Sequence, residues 1–212
     1  MMKGQHNISA VDNESTATTN ATCAAQRAHR LSMFTPKRVI ELCVGPSLFM
    51  LEEAYKIHNI ECFGNDIDTR WLKHHKTGRW LFGDALTLAK IGALRQFDVA
   101  IFAPPLTVGC TGERIDALDI FDVTPGYLEF VDVIMSIPHA SRPKLLTLVL
   151  HGKVLSTPQD RADYHKLLSE LWRRGLAPHP TQLIDGCRKY VDIDISLSHP
   201  SGWHQAVEDD EV

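Results

Sequence analysis

The stretch from Arg38 to Asp66 constrains this chain more than any other. It opens with the apolar run Val39, Ile40, Leu42 and Val44, interrupted by one acid, Glu41. A Gly45-Pro46-Ser47 corner follows, then a helical pattern from Leu48 to His58. A second short apolar run (Ile60, Cys62, Phe63) ends in Asn65-Asp66. Strand, turn, helix and strand in that order make a β-α-β unit, whose crossover obliges the two strands to run parallel. Such a unit sets a small-residue turn and a helix N-terminus beside the carboxylate that closes the second strand. That arrangement suits a nucleoside-bearing cofactor.

The rest of the chain repeats the alternation. Thr69 to Lys76 reads as a short helix stopped near Gly78, Trp80–Phe82 as a short strand, and Gly83-Asp84 as the turn into a helix over Ala85–Leu94. Asp98 to Ala103 is a continuous apolar run ended by Pro104-Pro105, the pattern of a strand buried on both faces. Residues 106–124 form a long connection rich in Gly, Thr and charge, of the kind that carries function. Thr124 and Pro125 predict the start of a helix to Ile137, and Leu145–Leu150 is the next buried strand, ending in His151-Gly152. Thr157 and Pro158 open an amphipathic helix to the Gly175 stop. Pro180–Ile184 and Lys189–Leu197 form a hairpin across Asp185-Gly186. In the last strand Val191, Ile193, Ile195 and Leu197 alternate with Asp192, Asp194 and Ser196, the pattern of an antiparallel edge with one wet face.

The expectation is an α/β fold: a doubly wound, mostly parallel seven-stranded sheet with helices on both faces and a terminal antiparallel hairpin. Residues 1–33 are rich in Ser, Thr, Asn and Ala and read as a disordered N-terminal arm, 34–199 as the folded domain, and 200–212 as an acidic flexible tail. Within the arm, Ala24–Leu31 has the residues of a short helix, whose Arg27, His29 and Arg30 either meet a polyanion or are simply solvated.

Composition narrows the function classes. A net charge of -4 gives no global basic signature, so contact with nucleic acid would need a local patch. No apolar run approaches the ~20 residues that cross a bilayer. The five cysteines (23, 43, 62, 110, 187) show no CxxC pairing, and no signal-like segment opens the chain. They read as reduced thiols in a cytoplasmic compartment. His74-His75 has no partner at ligand spacing, so no metal is expected.

This element order, with the residues at the strand ends, resembles the class I S-adenosylmethionine-dependent methyltransferases over residues 36–198. Glu41-Leu42-Cys43-Val44-Gly45-Pro46-Ser47 is similar to their motif I, E/D-x-G-x-G-x-G, with Cys43 and Ser47 in place of two glycines. Asp66 stands where the family's acid holds the cofactor ribose, and Gly83-Asp84-Ala85 resembles the segment whose Asp accepts from the adenine amino group. Ala103-Pro104-Pro105-Leu106 resembles motif IV, Asn or Asp, Pro, Pro and an aromatic, found in enzymes that methylate planar nitrogens. Ala103 and Leu106 here lack the polar and stacking side chains of that motif.

The resemblance implies S-adenosylmethionine as cofactor. It implies Glu41, Cys43, Gly45, Ser47, Asp66, Ile67, Asp84, Ala85 and Ala103 as cofactor-binding residues. Pro104 and Pro105 would wall the acceptor pocket, with Arg114 pairing a substrate phosphate or carboxylate and His151 a candidate base. Glu41 is expected to bond the motif I loop or the methionine ammonium, since a lone carboxylate in an apolar strand is costly. The bland readings are a turn acid for Asp66, an Asx turn for Asp84, a strand stop for the prolines, a surface ion pair for Arg114 and a strand-end residue for His151. Three functions follow: methylation of a nucleic-acid base or nucleotide nitrogen, with RNA or DNA as substrate; methylation of a small molecule or protein; or a catalytically silent, cofactor-binding partner subunit of another methyltransferase.

Overall fold

A computed structural model describes residues 21–45, 48–69, 79–104, 126–151, 157–185 and 188–197; at 48–50, 151, 184–185 and 188–190 the description covers the backbone only. The elements are α1 (Ala21–Ser32), β1 (Arg38–Leu42), α2 (Leu48–Lys56), β2 (Glu61–Asp66), β3 (Trp80–Phe82), α3 (Ala85–Lys90), β4 (Val99–Phe102), α4 (Tyr127–Ser136), β5 (Leu145–His151), α5 (Pro158–Arg173), β6 (Pro178–Asp185) and β7 (Arg188–Ser196). The seven strands form one sheet in the order β3-β2-β1-β4-β5-β7-β6. The first five run parallel, and β7 pairs antiparallel with both β5 and β6.

Side chains alternate between two dry faces, which makes the sheet doubly wound. Ile40, Leu42, Ala100, Phe102, Leu146, Leu148, Ile193 and Ile195 pack with α3, α4 and α5. Val39, Cys62, Val99, Ile101 and Leu145 pack with α1 and α2. The α5 start follows its sequence signal: Thr157 caps it in a reciprocal box with Asp160, and Pro158 occupies the first turn. The helix expected over Ala85–Leu94 is instead α3 followed by a 3-10 turn over Ala93–Gln96, because Gly92 between them adopts φ 74° and breaks the α ladder. Gly126 is the N-cap of α4; the expected Thr124 and Pro125 start lies outside the described residues.

Two expectations fail together, and for one reason. The short helix expected over Ala24–Leu31 is present as Ala21–Ser32, but it is not part of a disordered, solvated arm: it lies on the sheet with Cys23, Ala24, Arg27, Ala28, Arg30 and Leu31 buried. Its alanines let it approach the strands closely. β7, read as an edge with a wet acidic face, lies between β5 and β6, and its Asp192 and Asp194 are buried. Arg27 joins them by donating from Nε and Nη2 to Asp192 at 2.7 and 2.9 Å and from Nη1 to both Glu41 oxygens at 3.4 Å. Arg30 donates to Asp192 at 2.7 Å and also to Asp194, which accepts from Thr147 Oγ1 at 2.7 Å. Helical spacing of the two arginines thus matches the two-residue spacing of the aspartates. Residues 1–20 and 198–212 lie outside the described residues.

Three carboxylates meet two guanidinium groups in this cluster, and Glu41 has the longest bonds of the three. Burial pushes its carboxyl from an ordinary 4.5 up to about 7, against the pull of Arg27 and with a further push from Asp192. The folded chain therefore holds a proton that the unfolded chain has released between those values. The stability this confers is present on the acid side and is lost as pH rises through about 7. Urea unfolding from pH 5 to 8 should show that fall, and Glu41→Gln should flatten it; an equal slope in both proteins would mean that another group titrates. Arg27→Met, which strands the Glu41 carboxyl and leaves Asp192 to Arg30 alone, should lower the unfolding free energy by about 3–5 kcal/mol in the same assay.

Candidate functional site

The sheet order reverses between β1 and β4: from β1 the chain runs outward through β2 and β3, then returns to the other side of β1. Ligands of open α/β sheets bind in the crevice that such a reversal opens beyond the carboxyl ends of the strands. Leu42 lies opposite Phe102 across that junction, and Ala103 N donates to Leu42 O at 3.2 Å. Cys43–Gly45 and Ala103-Pro104 therefore flank the crevice.

The turn after β1 keeps a glycine-like path although Cys43 stands where the family pattern has its first glycine. Cys43 adopts φ 61° and Gly45 φ 55°. For Cys43 the left-handed region costs about 1–2 kcal/mol, so the surrounding bonds must hold it there. Val44 N donates to Asn65 O at 2.9 Å, and Gly45 N donates to Asp66 Oδ2 at 2.8 Å. A Cβ added at Gly45 would meet no atom within 4 Å, which leaves the backbone open to close approach.

Asp66 is the centre of the rim. Its Oδ1 accepts from Asp68 N at 2.9 Å while Oδ2 holds Gly45 N, so among the described residues each oxygen keeps a lone-pair direction for a further donor. Ile67 beside it is 66% exposed, one of several large apolar side chains that face outward among the described residues. Across the rim Asp84 caps α3, its Oδ2 accepting from Thr87 N and Thr87 Oγ1 at 2.8 Å each, and Ala85 is buried behind it. Burial pushes the Cys43 thiol up to about 12, helped by the charges of Asp66, Asp84 and Glu41. Since burial is the leading cause, the thiol stays neutral.

No protein-family model and no curated protein matches the sequence. Solved structures do. The delta-N METTL16 methyltransferase domain superposes at TM-score 0.60 with 16% identity, covering 86% of this chain and 85% of that one. The methyltransferase domain of a bacterial Hen1 gives 0.57 at 13% identity, over 84% and 100%. Cofactor-bound Rv0187 from MTB gives 0.57 at 12% identity, over 91% and 88%. The fold is that of the class I S-adenosylmethionine-dependent methyltransferases.

On that methyltransferase fold the structure brings Cys43, Gly45, Asp66, Ile67, Asp84, Ala85, Ala103 and Pro104 to the strand ends around one crevice. Glu41 departs from its expected place. Its carboxylate faces α1, is 1% exposed and bonds Arg27, because the alternation of β1 sends residues 39 and 41 to the helix α1 side. Its role in the fold is structural, as the partner of Arg27 beneath α1. Ser47, Pro105, Arg114 and the side chain of His151 lie outside the described residues; the backbone of His151 closes β5 opposite Tyr190. Among the described residues no group of His, Cys, Asp and Glu has the makings of a metal site, and no helix is long and apolar enough to cross a membrane.

Two residues at this rim escaped the sequence reading. Tyr127 donates from its hydroxyl to Val149 O at 2.7 Å and stands edge-on to Phe102, tying the start of α4 to the tip of β5. Asn65 is fully buried and bonds the turn after β3. The visible signal was only that a polar residue closes an otherwise apolar strand.

The strained turn gives a direct check. Cys43→Gly should change the unfolding free energy by less than about 1 kcal/mol, since relief of the left-handed torsion offsets lost packing. Cys43→Val, β-branched where φ is positive, should cost about 1–3 kcal/mol. Equal costs for the two would show that the torsion carries no strain.

Proposed function

We propose that this protein is an S-adenosylmethionine-dependent methyltransferase whose acceptor is a nitrogen of a nucleic-acid base or nucleotide. The observation that carries the cofactor reading is Asp66, held by Gly45 N and Asp68 N with, among the described residues, a lone pair left on each oxygen. Such a carboxylate fits the two vicinal hydroxyls of a ribose. The exposed Ile67, next to Asp66 in the chain, offers an apolar contact for the adenine, with Asp84 and Ala85 at the start of α3 as its further partners. The carboxylates of Asp66 and Asp84 at the strand ends suit a cofactor that carries a sulfonium and an ammonium more than one that carries a pyrophosphate. Bound there, S-adenosylmethionine supplies an electrophilic methyl group.

The chain's own task is positioning. Methyl transfer is an in-line displacement, so donor and acceptor need near-attack geometry more than a catalytic constellation. Pro104, buried after β4, is the start of the wall that the Pro104-Pro105 pair would offer a planar acceptor. Arg114 pairs a phosphate of the substrate, and His151 removes the proton that leaves the acceptor. A nucleic-acid substrate would be held by residues 106–124 or by a partner subunit.

One observation favours a second reading. Ala103 presents only a methyl group at the crevice, so no side chain at that position accepts a hydrogen bond from an amine. A catalytically silent, cofactor-binding partner of another methyltransferase has the same rim and no need of that acceptor.

Calorimetric titration with S-adenosylmethionine and S-adenosylhomocysteine tests the cofactor. Asp66→Ala should weaken binding by roughly tenfold to a hundredfold, the loss of charge-assisted bonds worth about 1.5–3 kcal/mol. Absence of binding by the unmodified chain would sink the cofactor reading. Transfer of labelled methyl to an RNA or DNA pool then separates the enzyme from the silent partner.

A further inference from the structure

We propose that Asn65 is the positioning residue of the cofactor site, setting the place of the Gly83-Asp84 turn against Asp66; this rests on the cofactor reading above. Asn65 is fully buried, and its Nδ2 donates to Leu81 O and Gly83 O at 2.8 Å each. Gly83 N donates to Asp66 O at 3.3 Å. Both polar groups of the Gly83 backbone are therefore bound by adjacent residues of β2. Gly83 itself adopts φ 138°, a torsion that L side chains rarely take, so the turn has a defined shape that the two bonds hold in place.

The same two residues hold the other turn. Asn65 O accepts from Val44 N at 2.9 Å, and Asp66 Oδ2 accepts from Gly45 N at 2.8 Å. One dipeptide at the end of β2 thus fixes the β1 turn on one side and the β3 turn on the other. Any ligand that touches both Asp66 and Asp84 depends on that spacing.

A role in packing alone is a poor account of this residue. Its Oδ1 is buried and meets no partner among the described residues, a cost that leucine, of similar size, would avoid. The planar amide turns that oxygen away from β3 because the nitrogen faces β3, so the amide is oriented by the turn and not by its own satisfaction. What the site gains from an amide is the pair of bonds to Leu81 and Gly83.

The test compares Asn65→Leu with Ile134→Val, a mild core change in α4, at a temperature where both are folded. Two readings are taken: affinity for S-adenosylhomocysteine by calorimetry, and hydrogen exchange of the Gly83 and Thr87 amides in the free chain. Asn65→Leu should lose at least tenfold in affinity and exchange these amides at least tenfold faster, with Ile134→Val near the unmodified protein in both. Affinity within twofold overturns the proposal, whether or not exchange speeds up, since the bonds would then serve stability alone. Should Asn65→Leu fail to fold, Asn65→Asp takes its place. Its ionised carboxylate repels both carbonyls and its protonated form restores one bond, so its affinity should recover as pH falls from 8 to 5, and a flat profile overturns the proposal. If the unmodified chain binds no S-adenosylhomocysteine the cofactor reading fails, and unchanged exchange at Gly83 and Thr87 then separately removes the clamp.

Discussion

The bidentate grip of Arg27 on Asp192, with Glu41 on the third nitrogen, is the interaction on which the rest of this architecture depends. Through one guanidinium it ties α1 to β7 and to β1, elements on opposite sides of the sheet's centre. Without α1 in place, Val39, Val99, Ile101 and Leu145 would lose part of their cover, and three carboxylates would face water from the middle of an apolar surface. Buried charges of this kind add little net stability over a well-packed apolar patch. Their effect here is to decide where the helix lies: a shift by one turn would leave at least one charge without its partner.

That constraint reaches the candidate site through β1. Glu41 lies one residue before the last of the strand, and the strained Cys43 turn begins two residues after it. The turn is then held from the neighbouring strand, by the Asn65 carbonyl and the Asp66 carboxylate. Strain in one loop is thus balanced by bonds from the end of β2, which in turn grip the loop after β3. The strands supply rigidity and their ends supply chemistry, the usual division of labour in an open α/β sheet.

Much of the fold was legible because it rests on contiguous residues. The apolar runs at 39–44, 99–102 and 145–150 read as buried strands, Thr157-Pro158 as a helix start, and the acids at 66 and 84 as strand-end residues. The errors fell where pairing is remote. Arg27 and Asp192 stand 165 residues apart, so the arginines of α1 looked like a solvated lead-in and the aspartates of β7 like a wet face. Glu41 is costly to bury, as its place in an apolar strand implies, but its partner is neither the motif I loop nor a ligand: it is Arg27 on the helix above.

The sequence alone determined the order of elements, the parallel sheet they imply, and the small residues and acids at the strand ends. Those follow from local periodicity, from turn chemistry and from the crossover that parallel strands require. Only the tertiary structure decided which charges meet beneath α1 and which carbonyls Asn65 holds. Such contacts depend on where distant segments come to lie once packed, and no pattern of neighbouring residues carries that distance.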